Sequence, residues 1–415
     1  MAAPQRIVIV GGGLAGAGAA AALREGGYPG EVLLFGADAH RPYELPALSK
    51  GLLIGDAEEP DWVRDQNFYA EHDVTLHLGT RVTRIEMGAR LVLDAAGGEH
   101  RYDRLLLATG SKPRSLPVRG ADLTGIHTLR TLDDALALRA AFAKSDRVVI
   151  IGSGWIGSEA AAAARKHGAE VTVVGMESTP LESVLGTEIG GVFHDLHTEQ
   201  GVRWRLRSSV ADFVGDEGAV TGVRLTDGSV LEADVVLLAV GAAPETGLAH
   251  AAGLDLSEDG GVCVDAYLRT ASPDIYAAGD VASQFHPKYE RRLRVEHWAN
   301  AKNQGEHVAK NMLGEHEPYQ RAPYFFSDQY DTNTGPGIGC EYRGLANLET
   351  DRLVVRGSLR EREFIAFWLS PQGTITAAMN VNVWDSSDAL QHLVNDRVSV
   401  TSDEQLVSGD LGSLT

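Results

Sequence analysis

Short apolar runs, each stopped by a glycine, recur along the chain. Arg6–Val10 (RIVIV) is the first, and a run this short and β-branched reads as a buried parallel strand. Gly13 to Arg24 is rich in alanine and leucine and reads as a helix, and EVLLFG (Glu31–Gly36) follows as a second strand. Together they make a βαβ unit. The same order returns at RVVIIG (Arg147–Gly152), an alanine-rich helix (Ser158–His167) and EVTVVG (Glu170–Gly175). Two further runs, RLLLATG (Arg104–Gly110) and DVVLLAVG (Asp234–Gly241), end in glycine with Pro113 or Pro244 soon after, the pattern of a strand leaving a core through a tight turn. From about Tyr324 the texture changes. RLVVRGSL, EFIAFWLS and TITAAMNVNV alternate like antiparallel strands, and a helical stretch is expected near Ser386–Asn395. The tail SVTSDEQLVSGDLGSLT is polar and acidic and is expected to be loosely held.

Each repeat carries a GxGxxG loop: Gly11, Gly13 and Gly16 in the first, Gly152, Gly154 and Gly157 in the second. In such a loop the first glycine turns the chain out of the strand. The second lets a pyrophosphate approach the backbone, and the third lets helix and strand pack closely. The helix N-terminus then presents free N–H groups to the phosphates. Each copy follows a strand and opens a helix, as the motif requires. The intervening Leu14, Ala15, Trp155 and Ile156 are therefore cofactor-lining candidates, with Gly241 at the end of the later strand. An acidic residue about 20 positions on is expected to hold the ribose. Asp38 lies 22 residues after Gly16 and Glu177 lies 20 after Gly157. No Arg or Lys stands between Gly175 and Leu181 to meet a 2′-phosphate, which favours NADH over NADPH. Two dinucleotides in one chain make chemical sense when one passes electrons to the other, as a nicotinamide does to FAD.

The chain has 415 residues, enough for two or three domains. Its formal charge of −20 disfavours nucleic acid and anionic membrane as partners. No uninterrupted apolar run is long enough to span a membrane and no leader precedes the first strand, so a cytoplasmic location is expected. Cys263 and Cys340 form no CxxC pair and are read as buried or inert thiols. The histidines lack metal-ligand spacing; His194 and His197 beside Asp195 are read as a helix surface.

The order VIVGGGLAG, PYELPALSK, LLLATGSKPR, IIGSGWIGSE, VLLAVGAAPE, IYAAGDVA and PYFFSDQYD resembles the FAD-dependent, NADH-using ferredoxin reductases of bacterial oxygenase systems. Putidaredoxin reductase and the reductases of biphenyl-type dioxygenases belong to that family, and apoptosis-inducing factor is a relative. The resemblance covers nearly the whole chain. It implies an α/β protein with two Rossmann-like dinucleotide-binding domains, glutathione-reductase-like in plan, and a C-terminal α+β domain. The expected boundaries are an FAD domain from 1–110 and 242–322, an NAD domain at 111–241 and a C-terminal domain at 323–415.

By the same resemblance, Gly279 and Asp280 meet the flavin's ribityl chain, and Ala108, Thr109, Val82 and Arg130 touch FAD. Trp298 covers the ring region, and Pro46 shapes the pocket wall. Lys50, paired with Glu159, is placed near flavin N5, and these two are the candidate catalytic residues. A lysine held charged by an acidic partner can support the negative charge that builds on reduced flavin. The sequence departs from the family at Ala37 and Gly175, where an acid is common. It departs again at Tyr324, Phe325 and Phe326, where many members have a tryptophan that could relay electrons. No cysteine precedes Cys263, which excludes thiol chemistry near the flavin.

The implied reaction is hydride transfer from NADH to FAD, then two single-electron steps to a [2Fe–2S] ferredoxin serving a haem monooxygenase or a dioxygenase. Such ferredoxins are usually acidic and need a local basic face on an acidic reductase. PKYERRLR supplies Lys288, Arg291, Arg292 and Arg294 against Glu290. Two alternatives stay open: a cysteine-independent NADH oxidase, and an NADH-sensing flavoprotein like apoptosis-inducing factor.

Overall fold

The computed structural model describes residues 4–331, 335 and 337–414. The chain divides into two compact units. The first gathers residues 1–44, 60–112 and 242–321; the second gathers 45–59, 113–241 and 322–415.

In the first unit, Arg6–Val10 is the centre of a five-stranded parallel sheet. Glu31–Phe35 and then Val74–His77 lie on one side, Arg104–Leu107 and then Ile275–Ala277 on the other. A central strand must be apolar on both faces, and Ile7, Val8 and Ile9 have no exposed surface. The helix Leu14–Glu25 packs against the helix Trp298–Leu313. Their approach is close because Gly305 has no side chain; a Cβ there would lie 2.4 Å from the Ala15 carbonyl oxygen. Two small sheets complete the unit: Val82–Glu86 with Leu91–Asp94 and Glu99–Arg101, and Val262–Val264 with Ala282–His286 and Arg291–Leu293.

The second unit repeats the plan. Its parallel sheet runs in the order Arg203–Arg205, Glu170–Val174, Arg147–Ile151, Val235–Leu238, Ile126–His127. The alanine-rich helix starts at Trp155, three residues earlier than its composition suggested, because Gly154 already serves as its N-cap. The same unit holds an antiparallel five-stranded sheet in the order Tyr324–Gln329, Ile338–Gly344, Ile375–Val381, Glu363–Leu369, Arg352–Ser358. The last three of these in sequence are the three alternating runs expected from the pattern, and Ser387–Asn395 is the expected helix. Leu185, Ile189, Phe193 and Leu196 of the helix Glu182–Glu199 pack on this sheet against Phe325, Tyr342 and Trp368.

The tail departs from expectation. Leu406 and Leu411 are buried in the core under the C-terminal sheet, and Arg356 donates to the carbonyls of Leu406 and Gly409. Two leucines in a polar sequence are enough to dock it, since each buried leucine contributes about 2 kcal/mol.

Candidate functional site

The two glycine loops have the same local geometry. Gly11 and Gly152 lie at φ +126° and +115°. A Cβ at Gly11 would fall 2.0 Å from the Ala108 oxygen, and one at Gly152 would fall 2.2 Å from the Ala239 oxygen. A Cβ at Gly16 or Gly157 would strike the carbonyl oxygen of Gly11 or Gly152. These four glycines are required by the protein's own packing. Gly13 and Gly154 differ: a Cβ at either would meet no atom within 4 Å. Both are helix N-caps whose helices, each 12 residues long, receive no side-chain cap. Open space, exposed glycine and uncapped N–H groups are what a pyrophosphate needs. Both loops therefore fit a dinucleotide. Ala15 is buried, Leu14 and Trp155 half-buried, and Ile156 is 42% exposed. Gly241 lies beyond the end of the strand Val235–Leu238, at φ +86° beside the Arg114 side chain.

Within the first unit, Gly279 lies at φ +78°, where a Cβ would come within 3.1 Å of Ala15 Cβ, so the GDVA segment sits against the first glycine loop. Its N–H donates to Gln304 Oε1 at 2.9 Å. The buried Asp280 carboxylate accepts from Ser111 Oγ at 2.8 Å. Ala108 is buried at the strand end, and the neighbouring Thr109 donates its hydroxyl to the Glu245 carbonyl at 2.6 Å. Val82 is buried in its own small sheet. Trp298 opens its helix and donates Nε1–H to Glu44 Oε2 at 2.8 Å, with Lys302 over its ring. Asp38 builds a turn: its carboxylate accepts from the His40 N–H and from Tyr43 Oη–H, both at 2.9 Å.

In the second unit, Glu177 is half-buried just past the strand end, beside the exposed Met176. Gly175 has a local reason to be glycine. A Cβ there would lie 2.4 Å from Ser153 Oγ, whose hydroxyl fills the place an acidic side chain would leave by. Arg130 precedes Thr131, the N-cap of Leu132–Phe142, and donates its N–H to Asp134.

Lys50 and Glu159 meet. Pro46 starts the short helix Pro46–Ser49, and Lys50 stands at its junction with Gly51–Ile54. Its ammonium is 2.8 Å from Glu159 Oε1 and lies over the Phe326 ring. Glu159 is 4% exposed and also accepts from Ser327 Oγ at 2.6 Å and from Ser49 Oγ. Ser49 and Ser327 were not read from the sequence. A usable signal exists for Ser327: it occupies an inward position of a strand whose alternate residues Phe325, Ser327 and Gln329 are all buried.

One expectation changes. His194 and Asp195 do lie at the helix surface, but His197 is fully buried. It continues the i+4 ladder Leu185, Ile189, Phe193, which marks the inner face of the helix. Of the four basic residues at 288–294, two have structural duties. Arg292 donates to the carbonyls of Val264 and Ser283, and Arg294, 12% exposed, pairs with Glu296. Arg291 is exposed. Cys340 is buried, where loss of hydration pushes its thiol up, and Cys263 is half-buried; both are free thiols.

Burial pushes the imidazoles of His197 and His297 down to about 4 from the ordinary 6.5. The unfolded chain then binds more protons than the folded one between those values. Stability is complete above pH 6.5 and is lost as pH falls towards 4. Each histidine is expected to cost on the order of 2 kcal/mol between pH 7 and pH 5. Urea denaturation at the two pH values should show this loss, and His197→Gln should remove about 2 kcal/mol of it. A loss unchanged in that variant would reject the assignment. The carboxylates held low by their donors, Asp94, Asp103, Glu182 and Asp234, act nearer pH 4 and below.

Among the described residues no helix is long and apolar enough to cross a membrane, and no group of three His, Cys, Asp or Glu side chains could hold a metal ion. Residues 5–305 match the pyridine nucleotide-disulphide oxidoreductase family, and residues 324–409 match the reductase C-terminal domain. The chain is 38% identical to the anthranilate 1,2-dioxygenase system ferredoxin–NAD(+) reductase component of Burkholderia cepacia, covering 93% of each chain. The crystal structure of the ferredoxin reductase for the CYP199A2 system from Rhodopseudomonas palustris superposes with a TM-score of 0.93 at 34% identity, covering 99% of both chains. The covalent putidaredoxin reductase–putidaredoxin complex gives 0.89 at 35% identity, over 95% of this chain and 94% of that one.

Proposed function

We infer the function from one premise: the chain belongs to the pyridine nucleotide-disulphide oxidoreductase family and carries a reductase C-terminal domain. It is an FAD-dependent, NADH-oxidising ferredoxin reductase. Its partner is a [2Fe–2S] ferredoxin that supplies a haem monooxygenase or a dioxygenase. The observation that carries this reading is the pair of open cradles at Gly13 and Gly154, each at an uncapped helix N-terminus. Relatives named as ferredoxin reductase components of oxygenase systems support the partner. Bound FAD supplies the conversion of a two-electron hydride into two one-electron transfers.

The chain's own residues bind and orient. The loop at Gly11–Gly16 and the segment at Gly279–Asp280 would hold FAD; the loop at Gly152–Gly157 would hold NADH, with Glu177 at its ribose. Lys50, ion-paired to Glu159, would face the reacting part of the flavin and stabilise negative charge there. The free thiols Cys263 and Cys340 fit a reducing compartment, and a cytoplasmic location is part of the same proposal.

Anaerobic stopped-flow absorbance tests the reading. Mixing with NADH should bleach the flavin quickly, and adding a [2Fe–2S] ferredoxin should restore it quickly. Bleaching that persists with every ferredoxin tried and is reversed only by oxygen would replace this reading with an oxidase or a sensor.

For docking, Arg291 is the member of the basic segment to change, because Arg292 and Arg294 hold the fold together. Arg291→Glu should slow ferredoxin reduction about 5- to 10-fold at low salt and less at high salt. NADH oxidation by a small dye should be unaltered. An equal loss with both acceptors would reject docking at this segment.

A further inference from the structure

An unbroken set of hydrogen bonds runs from Tyr330 to Lys50, all within the second unit. The Tyr330 hydroxyl is 2.9 Å from His197 Nδ1, and His197 Nε2 is 2.8 Å from Gln329 Oε1. Gln329 Nε2 is 3.3 Å from Ser327 Oγ. Ser327 Oγ is 2.6 Å from Glu159 Oε1, and Lys50 Nζ is 2.8 Å from the same oxygen. His197, Gln329, Ser327 and Glu159 are all buried.

The chemistry at one end fixes the proton positions throughout. Glu159 is ion-paired to Lys50 and accepts only, so Ser327 must donate to it. The Ser327 oxygen then accepts from Gln329, which turns the amide so that its Nε2 faces Ser327 and its Oε1 faces His197. An amide oxygen carries no proton, so His197 bears its hydrogen on Nε2. Its bare Nδ1 accepts from the Tyr330 hydroxyl. Every donor points the same way, toward the carboxylate, and bonds so aligned polarise and strengthen one another. The opposite amide orientation would set a carbonyl oxygen against a serine oxygen whose proton is engaged with Glu159. Gln329 also rules out proton conduction, because an amide does not exchange protons along such a path at neutral pH. The set therefore holds groups in place rather than moving charge.

We propose that His197 is a positioning residue for the Lys50–Glu159 pair, acting through Gln329 and Ser327 to fix the plane of the Glu159 carboxylate and hence the place of the Lys50 ammonium. Oε1 receives Lys50 and Ser327, and Oε2 receives Ser49. With three donors from two segments, the carboxylate has one orientation that satisfies all of them. Without the bond from Gln329, the Ser327 hydroxyl is free to rotate away, and the plane is held by Lys50 and Ser49 alone. The consequence for electron transfer rests on the proposed place of Lys50 at the flavin; the positioning itself does not.

The test uses the FAD-loaded protein and two readouts. One is the 13C resonance of the Glu159 carboxylate, assigned by its loss in Glu159→Gln. The other is the single-turnover rate of flavin reduction by NADH. His197→Leu should shift the resonance and slow reduction about 10-fold, and His197→Gln, which can donate and accept in the same places, should restore most of the rate. Tyr330→Phe, which removes one oxygen at the partly exposed end, should shift the resonance in the same direction and slow reduction about 2-fold, which covers the case of His197→Leu failing to fold. In a Lys50→Met background, His197→Leu should change the rate by less than about 2-fold, because the two act through one path. Slowing of equal size in both backgrounds would overturn the proposal, as would a Glu159 resonance unmoved by both His197→Leu and Tyr330→Phe. If Lys50→Met alone leaves the rate unchanged, the flavin role of Lys50 falls and the Glu159 resonance by itself decides the positioning.

Discussion

Gly154→Asp is expected to give a folded, yellow protein whose flavin NADH scarcely reduces. Gly154 is an N-cap at φ −83°, a conformation open to any residue, and a Cβ there meets no atom of the protein. Aspartate is a better N-cap than glycine by a few tenths of a kcal/mol, so folding stability should hold or rise slightly. The same carboxylate would stand at the site proposed for the NADH pyrophosphate, filling its space and repelling its charge. The second-order rate of flavin reduction by NADH should fall roughly 100-fold or more, about 3 kcal/mol. Gly152→Ala is the contrasting variant: at φ +115°, with the Ala239 oxygen 2.2 Å away, it should impair folding instead. Stopped-flow reduction and thermal melts of both variants measure the separation. Normal reduction in Gly154→Asp would mean that this loop does not hold the donor.

The second large effect concerns the buried ion pair. Lys50→Met leaves the Glu159 carboxylate 4% exposed with no countercharge, though Ser49 and Ser327 still donate to it. Stranding a buried charge in this way typically costs about 3–5 kcal/mol. Adding Glu159→Gln removes the charge while its amide oxygen keeps an acceptor for the serines, so the double variant should recover most of the loss. Urea denaturation of the two single variants and the double variant measures this at neutral pH. A double variant less stable than Lys50→Met alone would show that the carboxylate is satisfied without the lysine.

How much of this was legible in the chain depends on range. The parallel strands and both glycine loops are written locally, because a buried strand must be apolar on both faces and a phosphate-binding turn needs glycine at fixed spacing. Alanine-rich composition alone starts the second helix three residues late, at Ser158, whereas the glycine loop starts it at Trp155 with Gly154 as N-cap. The docking of the tail is not legible locally, because it depends on two leucines and on Arg356, which reaches it from a strand some 50 residues earlier.

At the candidate site, the glycines could be read outright and the Lys50–Glu159 pair only through resemblance, since the two are separated by 109 positions. Their serine partners come from separate segments, Ser49 beside Lys50 and Ser327 on the C-terminal sheet, and the buried state of His197 belongs to the inner face of the helix Glu182–Glu199. The four basic residues at 288–294 look alike in one dimension. Only folding assigns Arg292 to the carbonyls of Val264 and Ser283 and Arg294 to Glu296. By itself, then, the sequence determined the repeated strand–loop–helix units and the places where dinucleotides can enter, because those follow from backbone sterics within a few residues. Tertiary structure decided which polar side chains face each other in the interior and so which charges have work to do, because a buried donor takes its meaning from an acceptor brought in by a distant segment.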